Sequence, residues 1–393
     1  MIIKERRYRL THYLFGALPA RIGDEMSGQA ILLLGIAAGS ATLGSTLLAG
    51  LTFSAALGGP LLGAVLDRAR HPGKVLAVSL ASYAFGVTLI AWSLGYIPAW
   101  ASLGLALLAG FFMPSISGGW SSRLKSFIAD EQMARASAID ATTFNIAGLA
   151  GPALAGLIAG WLGAHWAVAI LVGLLAAALP MAWMLPRHQN QVKNQDIALI
   201  HDVLAGLKII VTNRLLFRIT LLSVISYMGI GMLWVICPLI GLEYIGNAGF
   251  GGIMMSVLSV GALVATAAYA KWPTRHAPDT VAFVTTIVLA AALLVLSFAG
   301  NVFIILAAML LAGLADGPQL AAVFAVRHRE APKRFRSQVF TTGASLKITA
   351  AALGAALAGH TAQQSLVATI LLAALIQLTA GAAYLLLTRY RPA

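Results

Sequence analysis

The segment GPLLGAVLDR, residues 59 to 68, joins an apolar stretch directly to an acidic and a basic residue. The stretch that it closes extends back to residue 42, and the next apolar stretch begins at residue 75. Followed in both directions, the chain contains twelve such stretches of about 20 to 25 residues, the length that an α-helix needs to cross about 30 Å of hydrocarbon. We therefore predict an all-α membrane protein with spans at 12–36, 42–66, 75–95, 99–121, 138–161, 165–186, 215–240, 250–270, 279–299, 302–325, 338–359 and 363–387.

The basic residues predict how these spans are oriented. Of the 26 Lys and Arg residues, all except Arg21 and Lys347 fall near the chain ends or in alternate connections. The opposite connections hold none; they lie near Gly39, Tyr96, Gly163, Gly246, Gly300 and Thr361. Because cytoplasmic loops retain positive charge, we expect a multi-pass protein of the bacterial cytoplasmic (inner) membrane with both termini in the cytoplasm.

Composition excludes several classes of protein. A chain that is 60% hydrophobic and 10% charged cannot be a water-soluble domain of 393 residues. Its net charge of +13 is explained by the topology, so no nucleic-acid partner is expected. Cys237 is the only cysteine, and the sequence contains neither a phosphate-binding loop nor a hydrolase motif. We expect no cofactor, no metal site and no enzymatic activity; a membrane-embedded enzyme is the alternative from another class.

The longest polar interval divides the chain into two parts with six spans each. We predict an N-terminal half at 1–186, a cytoplasmic linker at 187–212 and a C-terminal half at 213–393. Within the linker, apolar residues recur at helical spacing opposite polar ones, which predicts a short amphipathic helix on the membrane surface. The apolar set is Ile197, Ile200, Leu204, Leu207 and Val211, and the polar set is His201, Asp202 and Lys208. Two repeated six-helix halves are typical of secondary transporters.

The loop after span two resembles the signature of the major facilitator superfamily. Gly63, Asp67 and Arg68 match that signature, whereas Gly73 comes later than the glycine of the family pattern. The resemblance implies a twelve-helix fold and a role for Asp67 at the positive N-terminal end of span eleven, near Ser337, where it would help to hold the halves together. The alternative is an Asp-Arg pair on a solvated turn.

Two further motifs resemble the branch that contains bacterial drug and siderophore exporters. One is Gly23-Asp24 in span one. The other is a glycine-rich set in span five similar to the antiporter signature of that branch: Gly148, Gly151, Pro152 and Gly156. The resemblance implies export, but small residues also serve close helix packing with no transport direction implied.

Charged residues inside the spans are candidates for proton coupling. Arg21, Asp24 and Glu25 share one arc of span one with Gln29, and a charge near the bilayer centre costs about 3 kcal/mol or more, so this arc should line a wet cavity. Asp24 is the main candidate proton carrier, with Glu25 second and Arg21 tuning both; the alternative is a structural cluster.

Asp316 and Lys347 are predicted at similar depth in spans ten and eleven. They can form a buried ion pair or contact the substrate. Arg123 ends span four, where relatives often carry an arginine, and it can equally be a charge that sets topology.

An adaptable substrate pocket is predicted from aromatic and sulfur side chains, which repack around varied ligands. The candidates are Phe112, Met113, Tyr227 and Trp234, and packing or lipid contact is the alternative. We predict proton-coupled efflux of small hydrophobic compounds, such as drugs, toxins or siderophore-like metabolites, by a monomer whose partners are the substrate, protons and the lipid bilayer. Uptake or symport of a nutrient or metabolite is the alternative.

Overall fold

A computed structural model shows a chain built almost entirely of α-helices. It describes residues 10–38, 41–126, 128–186, 199–246, 250–272 and 276–389. Residues 187–198 of the predicted linker, which include Ile197, therefore lie outside the described residues. The same holds for the basic residues at the two chain ends except Arg389: Lys4, Arg6, Arg7, Arg9 and Arg391.

The helices of the first half follow the predicted spans to within a few residues. They are α1 (Leu10–Ala37), α2 (Ala41–Arg68), α3 (Pro72–Ser93), α4 (Ala99–Gly110), α5 (Trp120–Arg123), α6 (Met133–Leu162) and α7 (Ala164–Trp183). The predicted linker contains α8 (Leu199–Thr212). The helices of the second half are α9 (Arg214–Ile245), α10 (Phe250–Lys271), α11 (Pro278–Ser297), α12 (Val302–Glu330), α13 (Arg336–Thr361) and α14 (Leu366–Arg389).

Local sequence explains where α9 begins and ends. The Asn213 side chain accepts hydrogen bonds from the backbone N–H groups of Leu215 and Leu216, at 3.1 and 3.0 Å, and so caps the first turn. Gly246 ends the helix with φ of 72°, a left-handed conformation that favours glycine. The short α8 and the long α9 are thus separated by a single residue.

Within the described residues, eleven helical segments are long and apolar enough to cross a membrane. The 28-residue helix α1 accounts for the remaining predicted span, and it carries three charged residues near its middle, Arg21, Asp24 and Glu25. The chain is a multi-pass integral membrane protein with the predicted all-α fold.

The fourth span differs from a continuous helix. It combines α4, a π-helical turn at Ser115–Gly119 and the short α5. Pro114 directly precedes this turn, and a proline has no N–H for the helical hydrogen-bond ladder, so the ladder shifts there. Gly118 in the turn lies so close to Phe340 and Thr341 that a Cβ would overlap their backbone atoms. The interruption allows this approach.

The chain packs as two compact units. Unit 1 consists of Met1–Asp130, Ile146–Lys208 and Ala331–Ser345, and unit 2 of Glu131–Asn145, Ile209–Glu330 and Leu346–Ala393. Unit 1 therefore includes the first ten residues of α13, which the sequence assigns to the second half. The division at 187–212 stays a prediction about the sequence halves.

Small residues bring α10 and α12 together within unit 2. A Cβ at Gly261 would press against Leu310, and one at Gly313 would overlap Leu258. In lipid, where apolar side chains gain little by leaving the solvent, such close van der Waals packing is a main source of helix association. The apolar core of unit 2 surrounds this contact and includes Leu233, Ile236, Leu289, Leu293 and Met309.

The orientation of the spans gives the first testable prediction. A reporter that is active only in the periplasm should be inactive when fused after a basic connection, and active when fused after Tyr96 or Gly246, because cytoplasmic loops retain Lys and Arg. The inactive fusion points are Arg70, Arg135, Gln191, Arg275 and Lys333, of which Gln191 and Arg275 lie outside the described residues. Periplasmic activity at Gln191 would contradict the division into six and six spans.

Candidate functional site

The Asp67 carboxylate lies at the start of α13. Its Oδ1 accepts a hydrogen bond from the backbone N–H of Ser337 and its Oδ2 accepts one from the N–H of Gln338, both at 2.8 Å. These N–H groups belong to the first turn of α13, where a helix has no carbonyl partners of its own and carries partial positive charge. Asp67 thus caps α13 from the end of α2, at the position that the family resemblance implies.

Arg123 joins this contact and balances its charge. Its guanidinium lies 3.4 Å from Asp67 Oδ1, and the two side chains are only 3% and 4% exposed. The same guanidinium donates a hydrogen bond to Ser337 Oγ, which also accepts one from Ser122 Oγ at 3.2 Å. Removing either charge would take away the opposite charge 3.4 Å from the other, buried group, which is strongly unfavourable.

Two glycines of α2 allow α13 to approach this closely. A Cβ at Gly63 would overlap Thr341 and Gln338, and one at Gly59 would overlap Ser345 and Thr341. Thr341 Oγ1 also donates a hydrogen bond to the Gly59 carbonyl at 2.6 Å. Any larger residue at Gly63 would have to separate the two helices, which explains why the motif places a glycine there.

Arg68, the residue after Asp67, binds the linker helix α8. Its Nε lies 2.5 Å from Asp202 Oδ2, and Arg334 Nη2 lies 2.9 Å from Asp202 Oδ1. Partial burial acts to raise the pKa of Asp202, but the hydrogen bonds and positive charges of Arg68 and Arg334 outweigh it, so the pKa lies below its usual value. Asp202 is therefore ionised at neutral pH.

Arg21 is buried in the interior of unit 1. It is 1% exposed and donates hydrogen bonds to Ser121 Oγ at 2.9 Å and to Tyr13 Oη at 3.3 Å. Tyr13 in turn meets the ring of Trp120 edge to face, with centroids 5.7 Å apart. Arg21 therefore connects α1 to α5, one turn away from Asp24.

Asp24 and Glu25 lie on the same helix with different surroundings. Asp24 is half-buried, and its Oδ1 has no hydrogen-bond partner among the described residues. The Glu25 side chain is exposed, while the Glu25 backbone packs against Gly151 of α6. A carboxylate oxygen without a partner at this depth is suited to take up a proton.

Only one glycine of the span-five motif packs closely against another helix. A Cβ at Gly151 would overlap Glu25 and Met26 of α1, whereas Cβ atoms at Gly148 and Gly156 would meet nothing within 4 Å. Pro152 is exposed. Close packing therefore explains Gly151 but not the two other glycines.

Asp316 and Lys347 both lie in unit 2 and attract each other electrostatically. Within the described part of the chain, no ion pair within 4.0 Å involves Asp316. The Lys347 ammonium instead lies over the ring of Tyr227, 4.1 Å from its centroid, in cation–π geometry. The Tyr227 ring therefore contacts the positively charged Lys347.

We predict that Asp316 and Lys347 are energetically coupled. Asp316→Asn and Lys347→Met should each lower the free energy of unfolding. The double variant should lose about 1 to 2 kcal/mol less than the sum, because the attraction between the two charges is then lost only once. Denaturant unfolding of the purified variants in detergent measures this difference. Additive losses would show that the two charges act independently.

The predicted pocket residues are divided between the units. Phe112 and Met113 are half-buried in unit 1, where Phe112 meets Phe111 edge to face at 5.5 Å. Tyr227 is half-buried and Trp234 is 49% exposed, both in unit 2. Their role in binding substrate stays a prediction.

A buried amide network in unit 2 was not predicted from the sequence. Ser226 Oγ donates to Gln377 Oε1 at 2.7 Å, and Gln319 Nε2 donates to Thr286 Oγ1 at 2.6 Å and to Ser226 Oγ at 3.1 Å. Four helices, α9, α11, α12 and α14, are joined by these bonds. The sequence does contain a feature that could have indicated this network. Glutamine is uncommon inside apolar spans, and Gln319 follows Asp316 by one helical turn.

Comparison with known proteins agrees with this architecture. A sequence model of the family described as transmembrane secretion effector matches residues 30–393. The uncharacterized MFS-type transporter y4rN of Sinorhizobium fredii is 27% identical over 386 residues, which cover 95% of this chain and 94% of that protein.

Solved structures share the fold at low sequence identity. A bacterial homologue of the iron transporter ferroportin, in an outward-facing state, has a TM-score of 0.79 at 15% identity and covers 98% of this chain and 100% of its own. The human organic anion transporter MFSD10 has a TM-score of 0.75 at 16% identity, with 96% and 99% covered. The fucose:proton symporter FucP of E. coli has a TM-score of 0.76 at 14% identity, with 99% and 100% covered.

Proposed function

Because this chain belongs to the transmembrane secretion effector family of major facilitator transporters, we propose that it exports small hydrophobic compounds in exchange for protons. The protein works by alternating access: a binding site opens to one side of the membrane and then to the other. It acts as a monomer in the bacterial inner membrane, with both termini in the cytoplasm. The observation that carries the proposal is the half-buried Asp24, whose Oδ1 has no hydrogen-bond partner among the described residues.

Asp24 supports proton coupling through its position in α1. A charge inside the bilayer is expensive, so a carboxylate retained there needs a function or an opposite charge. The Arg21 guanidinium one turn away attracts the ionised Asp24 but gives its hydrogen bonds to Tyr13 and Ser121. Protonation of Asp24 removes a charge from α1 and so changes the relative free energies of the two access states.

The contact around Asp67 supports the alternating-access part of the proposal. In such a transporter the cytoplasmic ends of α2 and α13 must meet in one state and separate in another. Asp67 accepts a hydrogen bond from the Ser337 N–H and Arg123 donates one to Ser337 Oγ, so separation of α2 from α13 would break both bonds. We assign this contact the role of a cytoplasmic lock, and Gly63 the role of permitting it.

The substrate class rests on the predicted pocket residues, of which three are half-buried and Trp234 is 49% exposed. Phe112, Met113, Tyr227 and Trp234 offer large, adaptable apolar surfaces, which suit hydrophobic compounds of varied shape. Among the structurally similar proteins, one is named as an organic anion transporter and another as a fucose:proton symporter. Uptake by symport is accordingly the competing function, with the same proton site and the opposite direction.

A growth screen followed by a flux assay tests the proposal. A heterologous expressor should resist one or more toxic hydrophobic compounds, and a strain expressing Asp24→Asn should be as sensitive as one without the gene. For a compound found in this way, inside-out vesicles should accumulate it only when their interior is acidified. Accumulation that requires an acidified exterior would instead establish symport, and chemical conversion of the compound would establish an enzyme.

A further inference from the structure

The linker helix α8 is bound to both sides of the contact between α2 and α13. Asp202 is 6% exposed and holds Arg68 with one oxygen and Arg334 with the other. Arg68 directly follows Asp67, and Arg334 lies three residues before Ser337. One carboxylate therefore links the segment that carries Asp67 to the segment whose backbone N–H groups Asp67 caps.

A second, uncharged link joins α8 to the same contact. Gln338 gives its backbone N–H to Asp67 and its side-chain amide to the carbonyl of Val203, at 2.7 Å. The Gln338 side chain lies directly against Gly206, where any Cβ would overlap it. Gln338 is thus held by α2 through its backbone and by α8 through its side chain.

The two faces of α8 have different surroundings. Asp202, Val203 and Gly206 are buried in unit 1, whereas three apolar residues of α8 are exposed. The exposed set is Ile200 at 61%, Leu204 at 59% and Val211 at 62%. Because α9 begins two residues after α8 ends, α8 must lie beside the start of a membrane span, where such a face can rest on the bilayer.

We propose that α8 is a latch on the cytoplasmic lock and that Asp202 is its positioning residue, acting through Arg68 and Arg334 rather than on the substrate. This inference deepens the proposed alternating-access function. Since α8 is part of the covalent linker, it stays near its partners at high effective concentration after they separate. The latch can therefore re-form in every transport cycle without a diffusing partner.

The expected strength of the latch is modest. The Arg68 and Arg334 side chains are 31% and 51% exposed, and ion pairs with exposed partners are weak and screened by salt. Loss of Asp202 should therefore shift the ratio of open to closed lock by about fivefold. The buried pair of Asp67 and Arg123 should control the same ratio far more strongly and with little dependence on salt.

Distance measurements between two spin labels test the proposal. The full chain, with Cys237→Ala, carries labels at Arg70→Cys and Lys333→Cys in every variant and is reconstituted in nanodiscs without substrate or proton gradient. Asp202→Asn should raise the ratio of long to short distances about fivefold at low salt, and 1 M salt should abolish the difference. Asp202→Glu should keep most of the short-distance population.

The controls separate a latch from a merely structural residue. Glu131→Gln removes an exposed cytoplasmic carboxylate and should leave the distances unchanged. Arg334→Met should add little to Asp202→Asn, since both remove one link. Unchanged distances in Asp202→Asn, with or without a lower melting temperature, would overturn the proposal, as would full additivity with Arg334→Met. Because no transport is measured, these outcomes are independent of the proposed substrate and direction of transport.

Discussion

Asp24→Asn should abolish the accumulation of substrate that a proton gradient drives. Passive equilibration of the substrate across the membrane should persist. In the wild type, a potential of 100 mV supplies about 2.3 kcal/mol for each charge moved, which sustains a concentration ratio of about 50-fold. Asparagine is close to the size of aspartic acid but cannot release a proton, so the variant can change its access state without moving one. The expected concentration ratio across the membrane is therefore about 1.

The measurement uses inside-out vesicles with an imposed pH difference and a compound found in the growth screen. Counterflow of labelled against unlabelled compound should persist in Asp24→Asn, which shows that binding and the access change are intact. Glu243→Gln, which neutralises an exposed carboxylate of α9, should accumulate substrate like the wild type and serves as the matched control. If Asp24→Asn concentrates the compound as well as the wild type, proton coupling lies elsewhere, and Glu25 and Asp316 are the next residues to test.

Asp67→Asn should reduce transport at least tenfold with little change in expression or membrane insertion. The substitution leaves Arg123 buried without its opposite charge, which costs about 3 kcal/mol or more in the closed lock. When the lock opens, Arg123 can reach water. The substitution therefore destabilises the closed lock more than the open lock and shifts the equilibrium between them toward the open one. A shift of that size changes the ratio by roughly a hundredfold.

A double variant and a glycine pair make this prediction specific. Asp67→Asn combined with Arg123→Met should be less impaired in closing than Arg123→Met alone, because no charge stays unpaired. Gly63→Val should also block closure through overlap with Thr341 and Gln338, whereas Gly156→Ala should be tolerated because its Cβ meets nothing. Normal transport by Asp67→Asn would mean that the Asp-Arg pair only marks a turn.

The contact between Asp67 and α13 could be expected from sequence only through the family resemblance. Asp67 is separated from Ser337 by 270 residues, and Arg123 from Asp67 by 56. No local pattern connects such positions. For Arg123 the residues alone left a topological charge equally plausible, and the tertiary structure places it on Ser337 and Asp67.

The polar side of α8 illustrates a different limit. Helical spacing predicts that Asp202 lies on the face opposite Ile200 and Leu204. Periodicity distinguishes apolar from polar positions, but it does not distinguish water from a pair of arginines as the surroundings of a carboxylate. The structure shows that this face is turned toward Arg68 and Arg334, which is why Asp202 is buried and held ionised.

The spans, the all-α class and the family can be predicted from the amino-acid sequence. Each of these depends on properties that are read along the chain: a hydrocarbon layer sets the length of every apolar helix, and alternate loops carry the basic residues. Three contacts became visible only in the folded chain. Asp67, Arg123 and the start of α13 form one charge-balanced contact, and α8 joins it through Asp202. Lys347 lies over Tyr227 rather than within 4.0 Å of Asp316. These contacts depend on how helices distant in sequence pack side by side, and hydrophobicity along the chain carries no record of that packing.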